Sequence, residues 1–263
     1  MKLDKFFATN PVFTLNDLQN FLGRGNKISS TLGNLLQYHQ KKGRILLIKR
    51  GLYAVVPQEM QVDPYLITSK LAHDAVIGYH TALALHGKAN TMINRFYYLT
   101  LTKPMKPLAF QGNVFQAVSV PKSLKKKDIG NTTFNRLGMS IKVTTLERTF
   151  VDILDRPYLC LSWEEICHAI EAIEYLNSSL VVKYTLLLSN KTTAAIVGFF
   201  MEMYEDKWMI PAEHLKKLKK LRPLKPVYFK RSKKGPHRMV SQWNLIVPEV
   251  ILDKGWEEPH ENI

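Results

Sequence analysis

The sequence predicts an α+β protein, in which a small N-terminal unit of helices and one β-hairpin precedes a larger mixed α/β domain. The chain has 263 residues, enough for two domains, and its 46% apolar content excludes disorder for most of its length. Helical spacing of apolar residues runs through residues 1–41, a hairpin pattern follows at residues 44–57, and both patterns are mixed beyond residue 60. We therefore divide the chain into residues 1–60 and residues 61–263.

Two short helices are predicted at the N-terminus. Asn10-Pro11 ends a first helix that contains Phe6 and Phe7. Thr14 is placed to cap a second helix, and Asp17, three residues later, completes an approximate capping box.

A third helix is predicted over residues 27–41. Its apolar face carries Ile28, Leu32, Leu35 and Leu36. Serine, asparagine and glutamine can read base edges, whereas lysine holds phosphates. The opposite face carries polar residues of these kinds, namely Lys27, Ser29, Ser30, Thr31, Asn34, Gln37, Tyr38 and Lys41. The alternative is an ordinary amphipathic helix whose polar face contacts only water.

A β-hairpin with a basic tip follows the third helix. Two apolar runs, at residues 45–48 and 52–56, are separated by Lys49, Arg50 and Gly51. The glycine provides the positive φ that a tight turn needs, so we expect both cations at the tip. This order of helices and hairpin is the layout of a winged helix-turn-helix. We predict that it binds double-stranded DNA through the polar helix face together with Arg44, Lys49 and Arg50.

The second domain alternates between helical and strand patterns. After a predicted linker at residues 57–63, helices are expected at residues 64–71 and 73–86, then further helices at 163–175, 180–188, 193–204 and 211–221. Strands are expected at residues 95–102, 115–120 and 139–143, with closing strands at 228–229 and 240–247. Another helix is expected directly after the strand at residues 139–143, with Thr144 and Glu147 as its capping box.

Positive charge is concentrated in two segments. Residues 1–60 hold nine Lys and Arg against three Asp and Glu, and residues 206–240 hold twelve against two. A localised excess of positive charge implies an anionic partner, such as a nucleic acid or an acidic protein surface. The role of the late segment, residues 216–238, stays open: it is either a partner-binding surface or a solubilising face.

The sequence contains little that indicates catalysis. A glycine-rich phosphate loop, a Gly-x-Ser-x-Gly elbow and a kinase-type His-Arg-Asp run are all missing from it. Cys160 and Cys167 cannot form a disulfide framework, and no second ligand pair has zinc-like spacing. We therefore predict no catalytic residue, metal or cofactor. Without a signal peptide or an apolar run of about 20 residues, the protein is expected in the cytoplasm, with no membrane partner.

One cluster in the second domain is nevertheless expected to form a shared centre. It comprises Tyr79, His80, His86, Arg148 and Asp152. The two histidines are six residues apart, about 240° around a helix, and so do not converge on one metal ion. Arg148 and Asp152 are four apart and can pair. A structural role is favoured over a catalytic one.

Three segments together resemble the AbiEi-type antitoxins of bacterial type IV toxin–antitoxin systems, over nearly the whole chain. They are the hairpin tip at residues 49–53, residues 79–87 (YHTALALHG) and residues 143–152 (VTTLERTFVD). The resemblance implies a winged helix-turn-helix that binds inverted repeats in its own promoter and represses the operon. It also implies a C-terminal domain that counteracts a co-encoded nucleotidyltransferase toxin without forming a stable complex.

Two other functions stay open at this point. The protein could be a winged-helix transcription factor whose C-terminal domain senses a small ligand. It could also be an enzyme that modifies the toxin or a nucleic acid, for which Arg148, Asp152 and the late basic segment are the motivation.

Overall fold

The computed structural model describes residues 2–23, 30–56, 61–125, 129–160, 162–229 and 235–254, and its fold is α+β. The chain forms two compact units. The first comprises residues 1–77, 94–119 and 132–143, and the second comprises residues 78–93, 120–131 and 144–263. The predicted domain boundary at residue 60 falls inside the first unit, since strands from beyond that residue belong to it.

The N-terminal part of the first unit contains helices and a small antiparallel sheet. Its elements are α1 (Lys2–Thr9), β1 (Val12–Thr14), α2 (Leu15–Phe21), α3 (Ser30–Lys41), β2 (Ile45–Lys49) and β3 (Leu52–Val55). The three strands are ordered β1-β3-β2. The predicted helices and the hairpin are confirmed, whereas β1 was not predicted. Residues 27–29, the expected start of the third helix, lie outside the described residues.

The predicted capping box at the start of α2 is confirmed. The Thr14 hydroxyl accepts a hydrogen bond from the backbone N–H of Asp17 at 3.1 Å. The Asp17 carboxylate accepts one from the backbone N–H of Thr14 at 2.8 Å. Two backbone donors at this helix end are thereby satisfied.

We expect Thr14→Ala to lower the free energy of unfolding by about 1 kcal/mol, because the N-terminal donors of α2 lose their side-chain acceptor. Urea denaturation measures the change. Thr14→Ser is the matched control, since it keeps the hydroxyl and should stay close to the wild type. Equal losses for the two variants would contradict a role for the hydroxyl.

The rest of the first unit is built on a six-stranded sheet. Its elements are α4 (Pro64–Lys70), β4 (Val76–Ile77), β5 (Arg95–Thr100), β6 (Leu108–Phe110), β7 (Asn113–Ser119), β8 (Asn131–Arg136) and β9 (Met139–Thr144). The strand order is β6-β7-β5-β4-β9-β8. The parallel neighbours are β5 with β7 and β4 with β9, whereas β4 and β5 are antiparallel.

The predicted helix over residues 73–86 is wrong in its first half. Val76 and Ile77 form strand β4, in which Ile77 pairs with Tyr98 on one side and Val143 on the other. Both are β-branched residues that fit a pleated sheet, and pairing with partners distant in sequence outweighs the local helical pattern.

The second unit is mainly helical. Its elements are α5 (Tyr79–Leu85), α6 (Leu146–Asp155), α7 (Trp163–Glu171), α8 (Ser178–Leu188), α9 (Lys191–Met203), α10 (Ala212–Lys219), β10 (Val227–Tyr228), β11 (His237–Val240), β12 (Leu245–Pro248) and α11 (Glu249–Leu252). Strand β12 lies between β10 and β11. The predicted strand over residues 240–247 is interrupted by a single 3₁₀ turn at Ser241–Trp243. Helix α9 is buried from Thr193 to Met201 and forms the centre of this unit's core.

The predicted cap of α6 is wrong by one residue. Thr144 ends strand β9, and Thr145 is the N-cap residue, whose hydroxyl accepts the backbone N–H of Arg148 at 3.3 Å. The Glu147 carboxylate accepts the backbone N–H of Asn177 instead of closing a capping box. Two adjacent threonines offer the same capping chemistry, and the length of the preceding strand decides between them.

Candidate functional site

Helix α3 has one buried face and one exposed face. Leu32 and Leu36 are 1% and 4% exposed and pack among Phe6, Phe13 and Leu18. The predicted polar face is exposed to solvent along the described part of the helix, at Thr31, Asn34, Gln37, Tyr38 and Lys41. Ser30 begins the helix, whereas Lys27 and Ser29 lie outside the described residues. Because the apolar face is fixed in the core, these polar groups stay available to a partner.

Arg50 is the exposed cation at the hairpin tip. Lys49 pairs with Leu52 across the strands, and Arg50 and Gly51 form the turn, with Gly51 at a φ of 80°. A β-bulge between Leu47 and Lys49 turns the end of β2. The geometry presents the Arg50 guanidinium to solvent beyond the sheet.

Lys49 has partners within the molecule. Its ammonium donates a hydrogen bond to the backbone carbonyl of Leu71 at 2.8 Å and lies 3.7 Å from the sulfur of Met105. Partial burial lowers the pKa of Lys49 below the ordinary value of a lysine. This side chain joins the hairpin to the end of α4, and its contact with a phosphate stays a prediction.

Arg44 also has a partner within the molecule. Its guanidinium pairs with the Asp4 carboxylate and lies over the ring of Phe7, 5.6 Å from the centroid. The residue joins α1 to the start of β2. The Arg44 and Asp4 side chains are 45% and 55% exposed, so the guanidinium also reaches solvent, and its contact with DNA stays a prediction.

A hydrogen-bonded ion pair lies inside the second unit. Arg148 and Asp152 are 5% and 1% exposed, and the Arg148 Nε donates to the Asp152 carboxylate at 3.2 Å. Tyr184 donates its hydroxyl to the other carboxylate oxygen at 2.8 Å. The Arg148 Nη1 donates to the Ile129 carbonyl at 2.9 Å and to the Asn131 side chain at 2.6 Å. Each charge is therefore compensated by named partners.

The protonation states of this cluster follow from its burial. Burial raises the pKa of Asp152, and the adjacent guanidinium of Arg148 opposes that shift. Burial and the neighbouring Asp152 carboxylate also raise the pKa of Tyr184, which keeps this hydroxyl protonated as a donor. With Arg148 charged and Tyr184 neutral, the arrangement holds α6 and α8 together.

Gly130 lies directly against the arginine. Its φ is 68°, and a Cβ placed there would be 2.9 Å from the Cβ of Arg148. Its carbonyl accepts the backbone N–H of Thr145 at 2.9 Å. The loop that supplies acceptors to Arg148 can therefore approach this closely only with glycine at this position.

Tyr79 is close enough to Arg148 and Asp152 to interact with their charges. It is 1% exposed, and burial, followed by the charge of Asp152, raises the pKa of its hydroxyl. Tyr79 has a φ of 55°, which costs a bulky residue about 1–3 kcal/mol and persists only where packing enforces it.

Both histidines have partners outside the Arg148–Asp152 pair, and the prediction of one shared centre stays a prediction. The Nε2 of His80 lies 3.0 Å from the Glu165 carboxylate, which also accepts the backbone N–H of Asn90. The Nε2 of His86 donates to the carbonyl of Thr144 at 2.8 Å. Sequence reasoning missed Glu165, Asn131 and Tyr184, because none of them is close in sequence to the residues that it contacts.

The described residues contain neither a metal-binding cluster nor a membrane-spanning helix. There, no group of His, Cys, Asp and Glu is arranged to hold a metal ion. Cys160 and Cys167 are both buried free thiols, and burial raises the pKa of Cys167. None of the helices in the described ranges is both long and apolar enough to cross a bilayer.

The fold is similar to that of a solved structure. The crystal structure of the Rv2827c protein from Mycobacterium tuberculosis superposes with a TM-score of 0.61 at 17% sequence identity, over 98% of this chain and 94% of that chain. At this identity the likeness shows the fold alone. Neither the protein-family models nor the curated proteins gave a match.

Proposed function

We propose that this protein is a DNA-binding autorepressor and antitoxin, whose N-terminal winged helix-turn-helix recognises inverted repeats in its own promoter. The observation that carries the proposal is the exposed polar face of α3. The helix keeps its leucines in the core and leaves Asn34 and Gln37, three residues apart, on the outer side. A recognition helix in the major groove also presents polar side chains on its outer side, which supports the proposal.

The side chains of this face suit direct readout of bases. Asparagine and glutamine can each make two hydrogen bonds to one adenine. Each well-aligned side chain of this kind discriminates against a wrong base by about 1–3 kcal/mol. Lys41, on the same face, and Arg50, at the hairpin tip, provide phosphate contacts that position the helix.

The antitoxin part of the proposal rests on the resemblance to AbiEi-type antitoxins. It names a co-encoded nucleotidyltransferase toxin as the functional partner, counteracted without a stable complex. We assign Arg148 and Asp152 a structural role in this unit, because both are buried and already engaged with protein groups. That burial speaks against the alternative in which Asp152 serves a catalytic function.

Binding to the DNA upstream of its own gene tests the DNA-binding part. We expect Asn34→Ala with Gln37→Ala to reduce the preference for this duplex over a scrambled one. Arg50→Ala should weaken binding to both duplexes and reduce the log–log salt slope by about 0.9, the value for one phosphate contact. Fluorescence anisotropy of the full chain at several salt concentrations measures both effects.

Lys191→Ala is the matched control for Arg50, because it removes an exposed cation from the second unit. It should leave affinity and salt slope unchanged. Unchanged binding by all the α3 and Arg50 variants would contradict the winged-helix assignment. Rescue of growth by the full chain when the neighbouring nucleotidyltransferase is expressed tests the antitoxin part, and failure of the rescue would contradict it.

A further inference from the structure

The first unit contains a polar cleft that the proposed function does not use. Its volume is about 440 Å³, and it is lined by the start of α2, the end of α4 and strand β9. The polar side chains that matter for its chemistry are Asn16, Asp17, Lys70, His73, Ser140 and Lys142.

The cleft is continuous with the hairpin tip. A neighbouring concavity is lined by Arg50, Gly51 and Tyr53, and shares Thr14 and Asn16 with the cleft. The link is held by the backbone, since the N–H at position 15 donates to the carbonyl of Gly51 at 2.9 Å. A polymer that contacts Arg50 can therefore continue past Asn16 into the cleft.

The contacts around the cleft fix its walls. Lys70 pairs with the Asp17 carboxylate at 2.9 Å, and Lys49 donates to the carbonyl of Leu71. These two lysines join the N-terminal elements to α4 at two points. These contacts join the surface near Arg50 to the cleft within the first unit.

The charges that face the cleft are positive in sum. The carboxylate of Asp17 is neutralised by Lys70 and accepts the backbone N–H of Thr14. Lys142 adds a second positive charge, whereas Asp74 does not line the cleft and accepts from the hydroxyl of Thr100 and the backbone N–H of residue 101.

The groups that stay exposed can all serve an anionic partner. They are the cation of Lys142, the imidazole of His73 and the polar side chains of Asn16 and Ser140. On β9, Ser140 and Lys142 are exposed while Ile141, between them, is buried, so both lie on the outer side of this strand.

We propose that the DNA backbone, after passing the hairpin tip, enters this cleft and places phosphates against Lys142, His73, Asn16 and Ser140. This inference rests on the proposed function and extends its binding surface from the small N-terminal sheet to the six-stranded sheet. Ammonium, amide and hydroxyl groups also donate to phosphate oxygens, and contacts of this kind carry no sequence information. The contacts lengthen the footprint on DNA and leave the choice of sequence to α3.

Lys142→Ala in the full chain tests the inference, with the duplex upstream of its own gene as the probe. We expect weaker binding to promoter and scrambled duplexes alike, and a log–log salt slope reduced by about 0.9. Hydroxyl-radical footprinting should lose protection at backbone positions that flank the inverted repeat, while protection within the repeat persists. His73→Ala should lose protection at the same flanking positions, with a smaller change in salt slope.

Lys106→Ala is the control, since it removes an exposed cation of the same unit that does not line the cleft. It should keep the wild-type slope and footprint. A Lys142→Ala variant that folds, by circular dichroism, and keeps both the wild-type slope and the flanking protection overturns this inference alone. An equal change of slope in Lys106→Ala overturns it as well. Failure of the wild type to bind duplex DNA overturns the inference together with the proposed function.

Discussion

Asp152→Ala is expected to lower the free energy of unfolding by about 3–5 kcal/mol, the usual cost of removing one partner from a buried ion pair. The substitution leaves the guanidinium of Arg148 in an interior that is shielded from water, with a charge that lacks its carboxylate. The hydroxyl of Tyr184 loses its acceptor at the same time. Urea denaturation followed by circular dichroism measures the loss.

Two further variants distinguish what the hydrogen bond and the two charges each contribute to the free energy of unfolding. Tyr184→Phe removes one hydrogen bond to a charged group and should cost about 1.5–3 kcal/mol. The double variant Arg148→Met with Asp152→Leu replaces both charges with apolar groups and should be more stable than Asp152→Ala alone. A loss below about 1 kcal/mol for Asp152→Ala would contradict a buried, uncompensated guanidinium in that variant.

This pair also shows what the sequence can reveal of a site. The spacing of four residues predicts that Arg148 and Asp152 meet on one helix face, and they do. Tyr184 lies 32 residues further on, and Asn131 lies in a preceding strand, so no local spacing connects them to the pair. Helix periodicity finds neighbours within one element, whereas partners from other elements depend on packing.

The same limit applies to two cations near the hairpin, whose partners within the molecule the sequence does not reveal. The pattern around Gly51 correctly predicts the turn, because a positive φ is a local requirement. Whether Lys49 extends into solvent depends on the Leu71 carbonyl, 22 residues away in the chain. Arg44 likewise meets Asp4, 40 residues away in the chain. The direction of a long side chain is therefore a tertiary property.

Strands were harder to predict than helices in the described residues. The run Asn131–Arg136 is polar, and its burial pattern alternates only between exposed and half-buried positions, so hydrophobicity gives β8 little signal. In α3, by contrast, Leu32 and Leu36 follow helical spacing, and both are buried. The hydrophobic pattern of the sequence reveals an element that buries one face, but not an edge strand whose two faces are both partly exposed.

Gly198→Ala should destabilise the second unit, although alanine favours a helix over glycine by about 1 kcal/mol. A Cβ at this position in α9 would overlap the Cη2 and Cζ3 atoms of Trp243. The indole is fully buried and donates its N–H to the Glu202 carboxylate at 2.7 Å, so it cannot easily move aside. Such overpacking costs typically about 1–3 kcal/mol and occasionally more, which outweighs the gain in helix propensity.

The first unit offers a matched control for this effect in Gly33 of α3, where an added Cβ would meet no atom within 4 Å. Gly33→Ala should raise the free energy of unfolding by up to about 1 kcal/mol, through helix propensity alone. Trp243→Leu replaces the indole with a smaller side chain. It should cost less stability in the Gly198→Ala background than in the wild type, because the methyl group added at position 198 then fills part of the vacated space. Thermal denaturation of Gly198→Ala, Trp243→Leu and the double variant measures this coupling, and Gly33→Ala is measured beside them as the control. Additive losses in the double variant would contradict direct contact between position 198 and the indole, since independent sites add and contacting sites do not.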